Sequence, residues 1–295
     1  MKITLTGALG HISRPLAQLL ITQGHTVTII SSNAERKKEI EALGGIAAIG
    51  LITDANFLAR AFAEADAVYA MVPLDFAVPD IRAHSQDIGR AYAQAVRKSG
   101  VKRVVHLSSW GAHLAEGTGP IVGSHEVEGI LNELPNVSVT HLRPGYFFHN
   151  LYRFIDMIKN AGFIGANYGG EDRIAFTSTK DIAKVAAEEL TAIGSEKIRY
   201  LASDDITANA AAQIMGAGIG KPALQWVTFT DEQAFAGLRE AGMPVTVANV
   251  LVELGAAIHS GAIREDYDLH QPIAGENKLR DFAREFAAVF GEKVV

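Results

Sequence analysis

Short apolar runs alternate with longer stretches in which apolar residues recur every three or four positions. The runs at 2–6, 25–31, 45–49, 67–72, 102–108 and 137–142 predict strands. Helical periodicity falls at 12–23, 34–43, 56–63, 79–98 and 124–133. The strand runs are short and carry apolar residues for both faces, the pattern of parallel strands covered on both sides. Gly24 and Gly100 stand where helices hand over to strands, as C-terminal caps do. Strand–helix alternation with short connections predicts an α/β fold, a Rossmann-type doubly wound parallel sheet.

Beyond Leu142 the rhythm loosens. An aromatic-rich segment, RPGYFFHNLYRFI, leads into helical patterns at 179–192, 209–217, 231–241, 245–259 and 277–290, with one strand at 198–201. The expected organisation is a nucleotide-binding domain over 1–150. A small, mainly helical C-terminal substrate lobe over 151–295 would be partly interleaved with the sheet.

Composition narrows the function classes. Apolar residues make up 48% and charged residues 20%, an ordinary globular balance. The net charge of −6 argues against a nucleic-acid partner, which requires a basic face. Without cysteine there is no disulfide, thiolate metal site or cysteine nucleophile. The ten histidines are scattered, with no pair at metal-ligand spacing, so no metal is expected. MKITLTGALG enters a strand at once, with no signal-peptide pattern, and no apolar run is long enough to span a membrane. A cytoplasmic monomer or homodimer is expected.

The segment TGALGHIS closes the first strand and opens the first helix. Gly7 permits the tight turn, Gly10 lets the backbone approach a pyrophosphate, and Ser13 takes the third small position of the dinucleotide pattern. The helix N-terminus offers free N–H groups and partial positive charge. In place of the acidic residue that an NAD site uses to hold the ribose 2′-OH, the second strand ends in Ser31, Ser32 and Asn33, with Arg36 just beyond. Hydroxyl, amide and guanidinium donors without a carboxylate suit a 2′-phosphate, so NADP(H) is expected ahead of NAD(H). The plainer alternative is a helix cap at Ser32 or Asn33 followed by solvated basic residues.

TGALGHIS, HLSSWGA, SHEVEGIL, HLRPGYFFHNL and TSTKDIAKVAAEEL follow one another in an order that resembles the NmrA-like family, atypical short-chain dehydrogenases/reductases. The resemblance is strongest to the branch of bacterial NAD(P)H:quinone oxidoreductases, azoreductases and triphenylmethane-dye reductases. It implies that Gly7, Leu9, Gly10, His11 and Ile12 cradle the pyrophosphate, and that Ser32, Asn33 and Arg36 lie near the adenosine ribose. Met71, Val72 and Pro73 would line the path to the nicotinamide. Leu107, Ser108 and Ser109 would lie beneath it, with Pro144, Gly145 and Tyr146 beside it. Many extended relatives carry Gly-Asp at the adenine pocket. Here the pair is Gly50-Leu51, so the adenine would be held by packing around Leu51 and Ile52.

The superfamily's Tyr-x-x-x-Lys pair is missing: Ile121 stands in the tyrosine place and His125 in the lysine place. His125 would hold the nicotinamide ribose or donate a proton. Otherwise it is an exposed histidine on a helix, flanked by Glu126 and Glu128. His125, Ser109 and Tyr146 are the candidate catalytic residues. Phe76, Trp110, Phe147, Phe148, His149 and Tyr152 are candidates to line a planar acceptor, about half of the rings being expected in the core. Strong hydride acceptors need positioning more than acid catalysis. The expected activity is hydride transfer from NADPH to a small planar organic substrate, a quinone or azo dye. Two alternatives fit the same residues: a non-catalytic NADP(H)-binding redox sensor, and a reductase of a biosynthetic imine or ene intermediate.

Overall fold

The computed structural model describes residues 1–194 and 196–291. The chain divides into two compact units that interleave along the sequence. One comprises Met1–Ala112, Val122–Arg143 and Ile182–Arg199; the other His113–Ile121, Pro144–Asp181 and Tyr200–Val295.

In the first unit, strands β1 (Lys2–Leu5), β2 (Thr26–Ser31), β3 (Ile46–Ile49), β4 (Ala67–Met71), β5 (Arg103–Leu107) and β6 (Ser138–Pro144) alternate with helices. The helices are α1 (Ser13–Thr22), α2 (Lys37–Ala42), α3 (Ala55–Phe62), α4 (Ile81–Ser99) and α5 (Val122–Asn132). The strands pair in parallel in the order β6-β5-β4-β1-β2-β3. Consecutive residues of β2 face opposite layers. Ile30 joins a core with Leu58 and Phe62 of α3, Ile88 and Tyr92 of α4, and Val127 and Leu131 of α5. Ile29 points instead toward Ile40 of α2, both packing around Gly45. This two-sided burial is why a strand such as β4, AVYAM, is apolar at every position. Helix α4 stops at Gly100, whose φ of 77° lets its N–H reach the Val96 carbonyl, and Gly24 turns the chain after α1 with φ 85°.

The second unit carries more strand than its sequence pattern suggests. β7 (Tyr146–Phe147) pairs in parallel with β9 (Arg173–Thr177), and β9 pairs antiparallel with β11 (Asp204–Thr207). β8 (Ile164–Ala166) pairs with β12 (Trp226–Thr228), and β10 (Ile198–Ala202) with β13 (Ile273–Ala274). Most of these strands are too short to show a period of two, so residue pattern alone marks only the stretch at 198–201. Helices at Ala208–Gly218, Asp231–Glu240, Val245–His259 and Leu279–Gly291 make up much of the rest. Among the described residues no single helix is long and apolar enough to cross a membrane.

Candidate functional site

β1 and β4 are neighbours in the sheet although two strands separate them in sequence. From β1 the chain winds outward through β2 and β3; from β4 it winds the other way through β5 and β6. The loops that leave β1 and β4 therefore diverge, and this is where an open α/β sheet leaves a crevice for ligand. Gly7 and Ala8 both have left-handed backbones, φ 87° and 49°. A Cβ at Gly7 would stand 2.7 Å from Ser13 Oγ and 3.0 Å from Met71 Cγ, so only glycine fits. Ser13 is itself used: its hydroxyl donates to the Thr6 carbonyl at 2.9 Å, tying the start of α1 to the end of β1. Ala8 N–H donates to Ile30 and Thr6 N–H to Tyr69, which fixes the loop over β2 and β4. A non-glycine residue in the left-handed region costs about 1–2 kcal/mol, strain of the kind that collects at functional sites.

The N-cap of α1, Ile12, makes no side-chain cap, and the first turn holds no acidic residue. The helix terminus thus keeps its partial positive charge. A Cβ at Gly10 would touch only the Gly7 carbonyl, at 3.3 Å, and would otherwise occupy the open face of the loop. An uncapped terminus behind a backbone cradle that one methyl group would fill suits a pyrophosphate. Leu9 and Ile12 are buried beneath the loop, and His11 is exposed on it.

At the end of β2, Ser31 is buried, and its hydroxyl exchanges hydrogen bonds with the backbone of Asn33: Asn33 N–H donates to it at 3.1 Å. Asn33 Oδ1 accepts from Glu35 N–H, so Asn33 is the cap of the turn at Ala34–Arg36. Ser32 and Arg36 are exposed. Arg36 lies 3.7 Å from Glu39, and Arg14 of α1 pairs with the same carboxylate. Leu51, beyond β3, is 58% exposed, an apolar side chain left in the open beside this cluster's strand end.

β4 and β5 carry the next group. Met71 N–H donates to Thr6 Oγ1, and the Tyr92 hydroxyl donates to the Met71 carbonyl at 2.7 Å. Val72 is half-buried; Pro73, Leu74 and Phe76 are exposed. Leu107 and Ser109 are half-buried and Ser108 is buried. The Ser108 hydroxyl donates to Glu128 Oε1 at 2.5 Å, and Arg143 clamps that carboxylate with Nε (2.9 Å) and Nη2 (2.6 Å). Glu128 and Arg143, with side chains 7% and 5% exposed, are not among the site residues expected from the sequence, where Glu128 figures only as a neighbour of His125. The signal was present: Glu128 shares the buried stripe of α5 with Val127 and Leu131, and Arg143 interrupts an apolar strand end. A charge at such a position requires a partner.

His125 is half-buried, and its Nδ1 meets the Ala112 carbonyl at 2.9 Å. A carbonyl only accepts, so Nδ1 carries the proton and the neutral ring presents Nε2 as an acceptor. His125 gives a proton from Nε2 only as the imidazolium. Deeper in the sheet, His106 and His141 meet Nδ1 to Nδ1 at 3.0 Å, and His141 Nε2 contacts Asn132 Oδ1 at 3.3 Å.

In the second unit, Ile121 is buried and Pro144 ends β6 in the interior. Tyr146 is buried against Phe176, and its Oη accepts from the Tyr168 hydroxyl at 3.2 Å. Burial, with Tyr146 beside it, pushes the Tyr168 hydroxyl well above its ordinary pKa. Packing accounts for several rings proposed for an acceptor. Phe148, 2% exposed, meets Phe282; His149 meets Phe282; Tyr152 stacks on Phe286 at 5.6 Å. Trp110, in the first unit, is 3% exposed. Phe76 and Phe147 keep open surface.

The profile of the NmrA-like family matches residues 1–273. The chain belongs to the NmrA-like family. NAD(P)H azoreductase of Xenophilus azovorans is 26% identical over 295 residues, covering 98% of this chain and 99% of its own. Triphenylmethane reductase of Citrobacter sp., solved with NADP(H), superposes with a TM-score of 0.80 at 22% identity, covering 97% of this chain and 99% of that one. The NADPH-dependent quinone oxidoreductase of Escherichia coli, solved with NADPH, gives a TM-score of 0.76 at 19% identity, with 96% and 99% covered. At these identities the likeness to the two structures is one of fold. This NmrA-like chain has the Rossmann-type sheet expected from its sequence.

Proposed function

We propose that this NmrA-like protein is an NADPH-dependent reductase acting on a small planar acceptor, a quinone or azo dye. The observation that carries the reading is the Gly7–Gly10 cradle in front of the uncapped α1 terminus, at the switch between β1 and β4. The cofactors of the azoreductase and of the two solved relatives accord with it.

Backbone N–H groups at the start of α1, with Leu9, Gly10, His11 and Ile12, would hold the pyrophosphate. Ser32, the Asn33 amide and Arg36 would meet the 2′-phosphate, with no carboxylate at the end of β2 to repel it. Ser31 would support them from beneath, its hydroxyl being engaged with Asn33. Exposed Leu51 supplies an apolar face for the adenine. Met71, Val72, Pro73, Leu107, Ser108 and Pro144 would border the nicotinamide. When bound, the cofactor supplies the hydride. Ser109, His125 and Tyr146 are the proposed groups nearest the reaction. His125 Nε2 would accept a ribose hydroxyl when neutral and deliver a proton when charged. Phe76 and Phe147, with the exposed edges of His149 and Tyr152, are the rings we assign to the acceptor.

NADPH oxidation followed at 340 nm with a panel of quinones and azo dyes tests the proposal. Turnover above a protein-free control is expected for at least one planar acceptor. The absence of any acceleration overturns it.

A further inference from the structure

Ser108 has one proton to give, and the fold has already committed it. The hydroxyl donates to Glu128 Oε1 at 2.5 Å. The same oxygen receives Arg143 Nε at 2.9 Å, and Oε2 receives Arg143 Nη2 at 2.6 Å. A carboxylate gripped by both arms of a guanidinium is ionised and can only accept. The serine O–H therefore points at Glu128, and what the hydroxyl keeps for any ligand is its lone pairs.

Stability alone does not account for this arrangement. Exchanging a buried ion pair for apolar side chains of similar size is often neutral or favourable. The three groups come from three elements, the end of β5, α5 and β6, and all are within the first unit. They converge on a hydroxyl one residue past the C-terminal end of β5, whose N–H is already paired with the Leu142 carbonyl.

Quinone oxygens and azo nitrogens accept hydrogen bonds and offer none, so a serine restricted to accepting cannot bind them. The nicotinamide carboxamide carries an NH2 group, which such a serine can bind. We propose that Glu128 and Arg143 are positioning residues that hold Ser108 as a hydrogen-bond acceptor for the carboxamide N–H of the cofactor. Ser108 therefore serves the cofactor, and the acceptor's proton comes from elsewhere. This rests on the reading that the nicotinamide ends over β5.

The test uses the full-length protein, with NADPH and adenosine 2′,5′-bisphosphate as probes; the latter shares the adenosine end and lacks the nicotinamide. Ser108→Ala is expected to weaken NADPH binding and raise its KM about tenfold, the size of one hydrogen bond. The bisphosphate affinity and the KM for quinone should stay at wild-type values, and Ser108→Thr should restore NADPH binding. Glu128→Met/Arg143→Met, which removes the acceptor that fixes the Ser108 proton, should reproduce the alanine phenotype, with the unchanged bisphosphate affinity reporting an intact fold. The proposal is overturned if Ser108→Ala leaves NADPH binding intact and raises the quinone KM, which would make Ser108 a donor to substrate. It is also overturned if neither ligand responds. A wild-type protein that binds neither NADPH nor the bisphosphate would refute the cofactor reading itself, an outcome distinct from both.

Discussion

Acidification below about pH 6.5 should destabilise this protein through the His106–His141 pair. Asn132 Oδ1 can only accept, so His141 Nε2 carries a proton, and in the neutral ring Nδ1 is left as an acceptor. His106 Nδ1–H then donates to it across 3.0 Å. A second proton would set two N–H groups head to head. Desolvation by burial is the first cause that lowers the His141 pKa, to about 4 from 6.5; Glu128 opposes the shift, and Arg143 and Lys197 add to it. His106 is lowered well below its usual value by burial, then by His141 and Arg143. The folded-state pKa lies below the unfolded one, so the unfolded chain binds more protons between the two values. The stabilisation is complete above about pH 6.5 and is lost as pH falls toward 4. At pH 5, about 1.5 units below the unfolded-state value, protonation of the unfolded chain at this one histidine lowers stability by about 2 kcal/mol, and His106 adds in the same direction. Urea unfolding at pH 7.5, 6.5, 5.5 and 5.0 measures this directly. The double variant His106→Leu/His141→Leu replaces both partners by apolar groups and should flatten the profile. A wild-type profile as flat as the variant's would show that the His106–His141 pair does not set the acid sensitivity.

Gly10→Ala should weaken NADPH binding at least tenfold, about 1.4 kcal/mol, with little change in urea midpoint, because the added Cβ meets only the Gly7 carbonyl at 3.3 Å; unchanged affinity would place the pyrophosphate elsewhere. Arg143→Met should cost about 3–5 kcal/mol by stranding Glu128 in the interior, and Arg143→Met/Glu128→Met should recover most of it; calorimetric or urea stabilities in the opposite order would contradict this. Arg36→Ala should weaken NADPH and spare NADH, whereas Glu39→Gln, which releases both Arg14 and Arg36, should tighten NADPH several-fold. Equal responses of the two cofactors in fluorescence titrations would exclude a 2′-phosphate at this cluster.

The first unit was legible because its two periodicities are clean. Runs such as the one ending β4 are apolar at every position, and α4 repeats its apolar face over many turns. The glycine loop was legible because Gly7 and Gly10 fall between such a strand and helix. Ser13 was readable as a small residue, but its bond to Thr6 was not, since that depends on where the loop folds. The second unit was less legible: strands such as β7 and β13 owe their existence to their partners and not to a local pattern. The aromatic segment illustrates the same limit. Phe147 and Phe148 are adjacent and chemically alike, yet one is half-exposed and the other sealed against Phe282. Glu128 and Arg143, fifteen residues apart, show as a pair only when α5 lies along β6.

On the proposed function, this chain holds NADPH at the glycine loop and passes its hydride to a planar acceptor. Single-turnover oxidation of NADPH deuterated at the transferred position of C4 tests it most directly. NADPH should bind more tightly than NADH, its 340 nm band should be lost on adding quinone, and that loss should show a primary isotope effect. Tight binding with no turnover by any acceptor, together with unequal affinity for oxidised and reduced cofactor, would contradict it and point to a redox sensor.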